Sequence, residues 1–150
     1  MSYNRVIFAC MDNTCRSIMA EAVMNSVNKN NLLEVESRGI VVLFSEPINQ
    51  RVIPILRNFG LAPLKESSEK LCKEDFRKGT LILAMTAREK RMILDEFESD
   101  DVYTITEYVG QGGDIEEPGG DLAGYGVCYE YIDFIVKVVA EKLFRQIGGE

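Results

Sequence analysis

An apolar run that ends on a cysteine, followed at once by a polar turn and an amphipathic stretch, constrains this chain more than any other feature. Arg5-Val-Ile-Phe-Ala9 reads as a short buried strand. Arg16 to about Lys29 reads as a helix whose Met19, Ala22, Val23 and Val27 form an apolar stripe. Between them lie Cys10, Met11, Asp12, Asn13, Thr14 and Cys15. A strand-to-helix turn this tight leaves backbone N–H groups unpaired beside the positive end of the helix dipole. Such a turn binds phosphate and other oxyanions. Those donors also stabilise a thiolate at the first loop position, which predicts a lowered pKa for Cys10 and a nucleophile at neutral pH. Arg16 supplies a planar fork able to hold two phosphate oxygens.

The spacing alone is weak, because any cysteine finds an arginine six residues on by chance often enough. The other three cysteines have Glu21, Lys78 and Phe134 there. Context makes the Cys10 match specific: a strand before it, a helix after it, and Asn13 and Ser17 inside it. Asn13 suits a left-handed turn and can tie the loop by side-chain hydrogen bonds. Ser17 can cap the helix or donate to the thiolate. A strand that feeds a thiolate into a phosphate cradle is equipped for phosphoester hydrolysis by cysteine attack.

Strand and helix alternate through the rest of the chain. Glu34–Val41 reads as a second strand, Thr80–Met85 as a third and Val102–Ile105 as a fourth. Phe44–Arg51 reads as loop, and Pro54 suits the first turn of a short helix ending at Gly60. Leu71–Phe76 reads as another short helix and Ala87 to Phe97 as a longer one. Gly110 to Gly126 forms a glycine-rich loop expected to lie over the site. From Val127, residues Tyr131, Ile132, Ile135, Val138, Val139, Leu143 and Ile147 mark the core face of a final helix stopped by Gly148-Gly149. The expected architecture is α/β: one domain over residues 1–150, a three-layer sandwich with a four-stranded parallel sheet and helices on both faces. Ligands then sit at the carboxyl ends of the strands, where the Cys10 loop falls.

Composition narrows the function. Net charge is −7, which disfavours nucleic acid as a partner. There is no histidine, which removes histidine acid–base catalysis and most zinc sites. No apolar run approaches a membrane span, and the first nine residues do not read as a signal peptide. Four cysteines in that setting point to a reducing, cytoplasmic compartment. Neither metal nor organic cofactor is expected.

Cys10-Met-Asp-Asn-Thr-Cys-Arg-Ser-Ile-Met-Ala-Glu21 resembles the phosphate loop and first helix of the low-molecular-weight protein tyrosine phosphatases. Leu83-Ala-Met-Thr86, the chain length and the C-terminal helix extend the resemblance over nearly the whole chain, closest to the bacterial branch that includes protein arginine phosphatases. The resemblance implies phosphorylated proteins as substrates and a cysteinyl-phosphate intermediate formed on Cys10. It implies an oxyanion held by Arg16 and the loop residues Met11 to Ser17, and a general acid from an Asp-Pro pair on a late loop.

Glu117-Pro118 takes that acid position, one methylene longer, with Asp114 and Glu116 as further candidates. Cys15 matches the family's second loop cysteine, which implies a reversible Cys10–Cys15 disulfide guarding the nucleophile. Cys72 and Cys128 are expected to be buried or incidental. Asp12 and Ile18 replace the family's usual Gly and Pro. Thr14 matches the arginine phosphatases, and Gly119-Gly120 after Pro118 removes the aromatic wall of tyrosine-selective members. Tyr125, Tyr129 and Tyr131 read as helix core or surface rather than as a clamp. Alternatives are a phosphate-binding regulatory module without turnover and an arsenate reductase on the same fold, the latter needing two further cysteines close in sequence.

Overall fold

The structure, a computed structural model, describes residues 2–148. Four parallel strands, β1 (Arg5–Cys10), β2 (Glu34–Gly39), β3 (Thr80–Ala84) and β4 (Val102–Thr104), lie in the order β2-β1-β3-β4. Every residue of β1 and β3 is buried, as a central parallel strand covered on both faces requires. Alternate residues divide between two cores. Val6, Phe8, Leu81 and Leu83 face the helices α1 (Arg16–Val27) and α5 (Leu122–Ile147). Ile7, Ala9, Ile82 and Ala84 pack with Ile93 of α3 (Ala87–Glu96) on the other face. The expected three layers are therefore present, and the chain reverses direction across the sheet between β1 and β3, beside the end of β1 that carries Cys10.

Several boundaries differ from the sequence reading, each for a local reason. Helix α1 is buried from Arg16 through Met24 on all sides rather than along one stripe, because α5 covers what the sheet does not. Strand β2 stops at Gly39, two residues short of Val41, because Ile40 and Val41 turn their N–H groups onto the Met11 carbonyl. Leu71–Phe76 contains only a 3₁₀ turn over Lys73–Asp75. Helix α2 spans Val52–Asn58, with Gly60 at φ +75° just behind it. Val102–Ile105 ends as a strand at Thr104, whose hydroxyl and Glu107 form a capping box for a short helix, α4 (Ile105–Tyr108).

Helix α5 begins at Leu122, five residues before Val127, because Asp121 accepts from the Gly124 N–H at 3.2 Å and caps it. Gly124 belongs to the helix, not the loop; a Cβ there would lie 2.9 Å from the Gly119 carbonyl oxygen. Tyr131 is exposed, and Tyr125 and Tyr129 take the core face instead. Gly149 lies outside the described residues.

Candidate active site

The loop after β1 is built around Asn13. Its φ of 60° makes the left-handed turn anticipated from sequence. Its amide nitrogen donates to Ser17 Oγ at 2.8 Å and to Ser37 Oγ on β2 at 3.0 Å, and its carbonyl accepts from the Glu69 N–H at 2.9 Å. Ser37 in turn donates to the buried Glu21 at 2.6 Å. Ser17 Oγ already accepts from Asn13, so its own hydrogen is free for Cys10 Sγ, 3.0 Å away. Ser17 therefore serves the thiol rather than capping α1, whose N-cap is Cys15 with no side-chain cap. Gly39 closes the assembly: a Cβ there would meet the Asp12 backbone at 2.9 Å and Asn13 Cβ at 3.0 Å. Sequence reasoning did not single out Gly39, Ser37 or Glu69, because their neighbours in the fold lie far away along the chain.

Arg16 is 3% exposed, and its guanidinium is almost fully committed. Nη1 donates to Glu89 Oε1 at 3.1 Å and to the Ile115 carbonyl at 2.9 Å; Nη2 donates to Glu89 Oε2 at 2.7 Å. Nε donates to Glu117 Oε1 at 3.1 Å across 101 positions of sequence. Burial opposes the charge on Arg16, but the Cys10 thiol, Glu89 and Glu117 around it raise its pKa. The loop from Gly110 to Asp121 does lie over the site. Ile115 donates its N–H to the Met85 carbonyl at 2.9 Å, and Asp114 accepts from the Ala87 N–H at 2.9 Å.

Asp114 is thereby tied to the start of α3 and Glu116 stands at the rim, so Glu117 is the acidic residue of this loop that meets Arg16. Burial pushes the Glu117 carboxyl up, Arg16 draws it back, and Asp12 raises it further.

A pocket of about 540 Å³ opens here, lined by Met11, Asp12, Arg16, Thr86, Arg88, Glu89, Asp114, Glu116 and Glu117. Of the predicted loop residues only Met11, Asp12 and Arg16 line it. Cys10, Asn13, Cys15 and Ser17 are fully buried behind them. Thr14 is also buried, and its hydroxyl and N–H both donate to Asp12 Oδ1, at 3.0 and 3.1 Å. The expectation of a lowered Cys10 pKa is not met. Full burial pushes the thiol up and outweighs Arg16 and the hydroxyl and N–H of Ser17, which all draw it down.

Burial raises Cys15 as well. All four cysteines are free thiols. Cys72, expected to be buried or incidental, is exposed and leans on Asp75 at 3.5 Å, whereas Cys128 is half-buried against the main core. Glu89, absent from the sequence-derived site, sits three residues after Thr86, a spacing that reads as a helix capping box. Its backbone N–H does bond to the Thr86 hydroxyl, but its carboxylate is on Arg16.

A buried thiol beneath an arginine fork, with a carboxylate from a distant loop laid on that fork, is the apparatus of a cysteine-dependent phosphatase. Comparison with known proteins narrows the class. The family model described as low molecular weight phosphotyrosine protein phosphatase matches residues 5–148, and the chain belongs to that family of protein phosphatases. It is similar to a protein-arginine-phosphatase from Geobacillus stearothermophilus, 32% identical over 143 residues, covering 93% of this chain and 95% of the relative. It is also similar to the low molecular weight protein-tyrosine-phosphatase PtpB from Staphylococcus aureus, 31% identical over 137 residues, covering 89% and 96%. Among solved structures, it matches the YwlE arginine phosphatase in a cysteine-to-serine form with a phosphorylated active-site serine. The TM-score is 0.87 at 30% identity, covering 95% of this chain and 99% of that one.

Proposed function

We propose that residues 1–150 act as one cytoplasmic protein phosphatase domain that works through a cysteinyl-phosphate. The observation that carries this is that Arg16, at the carboxyl end of β1, bonds Glu117 at 3.1 Å while its charge acts on the Cys10 thiol. Cys10 gives its proton to the incoming phosphoryl dianion, and its Sγ attacks phosphorus as the bond to the leaving group breaks. Arg16 and the loop N–H groups stabilise the equatorial oxygens as charge develops there. Glu117 gives its proton to the leaving group, then takes one from the water that hydrolyses the thiophosphate. Ser17, donating to Sγ, eases departure of the thiolate.

Glu117 lies on the fork edge that a phosphoryl oxygen would use, so the Glu117–Arg16 pair opens as substrate enters. Its side chain is 45% exposed, which leaves it room to swing. This mechanism calls on no metal or organic cofactor, and a net charge of −7 disfavours nucleic acid as a partner.

Phosphoarginine is the favoured substrate, with phosphotyrosine second. The pocket lining holds no aromatic side chain to stack on a phenol ring, and beside Glu89, which is engaged with Arg16, its carboxylates Asp12, Asp114, Glu116 and Glu117 suit a cationic guanidinium. The likeness to a protein-arginine-phosphatase supports the same preference. Cys15 serves as the redox partner of Cys10: after peroxide converts Cys10 to a sulfenic acid, the Cys15 thiol forms the disulfide and water leaves. Phosphate release from phosphoarginine and from p-nitrophenyl phosphate, compared for wild type and Cys10→Ser, tests the proposal. Release from both that vanishes in the variant is expected. No release from either by folded, reduced wild type overturns it.

A further inference from the structure

We propose that Glu89 is a positioning residue for the phosphate fork: it grips the outer end of the Arg16 guanidinium, so that only the Nε–Nη2 side edge remains for an oxyanion. A guanidinium has five N–H donors in one plane. The two Glu89 oxygens take one hydrogen each from Nη1 and Nη2, at 3.1 and 2.7 Å. The Ile115 carbonyl takes the other Nη1 hydrogen at 2.9 Å. The donors left over are Nε–H and one hydrogen of Nη2, parallel neighbours on one edge. That spacing matches two oxygens of a single phosphoryl group. Glu117 now accepts from the Nε half of this edge, and among the described residues no group takes the remaining Nη2 hydrogen.

Glu89 is itself held so that it can do this. Its side chain is 3% exposed. Its backbone N–H donates to Thr86 Oγ1 at 3.0 Å, and the Thr86 hydroxyl donates back to Oε1 at 3.1 Å. Thr86 stands two residues after the end of β3, so the grip is anchored to the sheet and not to the loop that carries Cys10. A fork whose outer end is fixed before substrate arrives needs no reorganisation as charge develops on the equatorial oxygens. Glutamine cannot replace this carboxylate, because its amide turns an N–H donor toward a guanidinium N–H. Aspartate falls one methylene short. A fork held for the transition state should also show its loss more in kcat than in KM.

The inference rests on Arg16 as the phosphate holder, and its test separates the two. Wild type, Glu89→Gln, Glu89→Asp, Arg16→Lys and the Glu89→Gln/Arg16→Lys double variant are titrated with tungstate by calorimetry, beside kcat and KM for p-nitrophenyl phosphate. Glu89→Gln is expected to weaken tungstate by about tenfold or more and to lower kcat by about 10²-fold, with a smaller change in KM. The double variant is expected to be no worse than Arg16→Lys alone. Tungstate affinity that is unchanged or tighter in folded Glu89→Gln, or additivity in the double variant, overturns the inference and leaves Glu89 a mere counter-charge. Unweakened tungstate in Arg16→Lys sinks the phosphate-holding role itself. Should Glu89→Gln fail to fold, Thr86→Val removes the hydroxyl that orients Oε1 but spares the ion pair. It is then expected to weaken tungstate by about threefold, and unchanged affinity overturns the inference.

Discussion

The two ends of β1 each bury an arginine against carboxylates, and only one of them is equipped for chemistry. At the amino end, Arg5 is 4% exposed and faces protein groups on every side, its Nε paired in charge with Glu34 but without a hydrogen bond. Nη1 reaches the Asp75 carbonyl at 3.1 Å and Thr80 Oγ1 at 3.5 Å, Nη2 reaches Asp75 Oδ1 at 3.2 Å, and Nε lies 3.3 Å from Glu34. Asp75 also pairs with Arg38 at 3.2 Å and caps its own turn through the Cys72 N–H at 3.0 Å. Everything Arg5 touches belongs to strands and turns that must meet for the sheet to form. At the carboxyl end, Arg16 is equally buried but keeps one edge for exchange, with a half-exposed glutamate resting on it. Burial against side chains of the sheet and its turns holds a fold together; burial with one edge turned to a pocket beside a thiol prepares a ligand site.

The sharpest way to break this comparison is to remove each charge in turn. Arg16→Met is expected to lower kcat/KM by about 10³-fold or more, as loss of a transition-state clamp does. Arg5→Met is expected to leave kcat/KM within about twofold while lowering stability by about 3 kcal/mol, because Asp75 stays buried with a partner missing. Steady-state kinetics and urea unfolding on the same preparations read both. An activity loss in Arg5→Met comparable to that of Arg16→Met would erase the distinction.

Glu117→Gln sharpens the carboxyl end. The variant is expected to lose about 10²-fold in kcat/KM on phosphoarginine, where the leaving group needs a proton, and much less on p-nitrophenyl phosphate, whose phenolate leaves readily. Parallel kcat/KM measurements, which stop at phosphoryl transfer to Cys10 and exclude the shared hydrolysis step, check it; equal losses would remove Glu117 from the acid role.

The amino end has its own pH signature, the smallest of the three effects. Burial alone would push the Asp75 carboxyl up, but the Cys72 N–H, Arg38 and Arg5 hold it below its ordinary value. A carboxyl lowered in the folded state adds stability above its unfolded pKa, about 3.9, and that stability is lost as pH falls through the folded value. Urea unfolding of wild type between about pH 6 and pH 3 should therefore show declining stability that is shallower in Asp75→Asn. Parallel slopes in the two proteins would show that Asp75 is not the group responsible.

How much of this was legible beforehand follows the range of the forces involved. Strand β1, the Cys10–Arg16 loop, the left-handed Asn13 and the parallel sheet could be read because each depends on residues within a few positions of one another. The start of α5 differs from the sequence reading because Gly124 and Gly126 have the composition of a loop, whereas the Asp121 carboxylate accepting from the Gly124 N–H starts the helix before both. Tyr131 was put in the core because the apolar period along α5 is ambiguous until the sheet and α1 decide which face they cover. The depressed thiol pKa expected for Cys10 counted the local donors but not the desolvation of a side chain with no exposed surface.

The sequence by itself determined an α/β phosphate-loop protein with a cysteine at the floor and an arginine at the rim. Period, turn chemistry and local charge are properties of short stretches of chain. Only the tertiary structure decided that Glu117 rather than Asp114 or Glu116 meets Arg16, and that Glu89 holds the fork. It alone set Ser37, Glu69 and Gly39 around Asn13. Those contacts join residues tens of positions apart, and the packing of helices on both faces of an open sheet is what brings such residues within hydrogen-bond range.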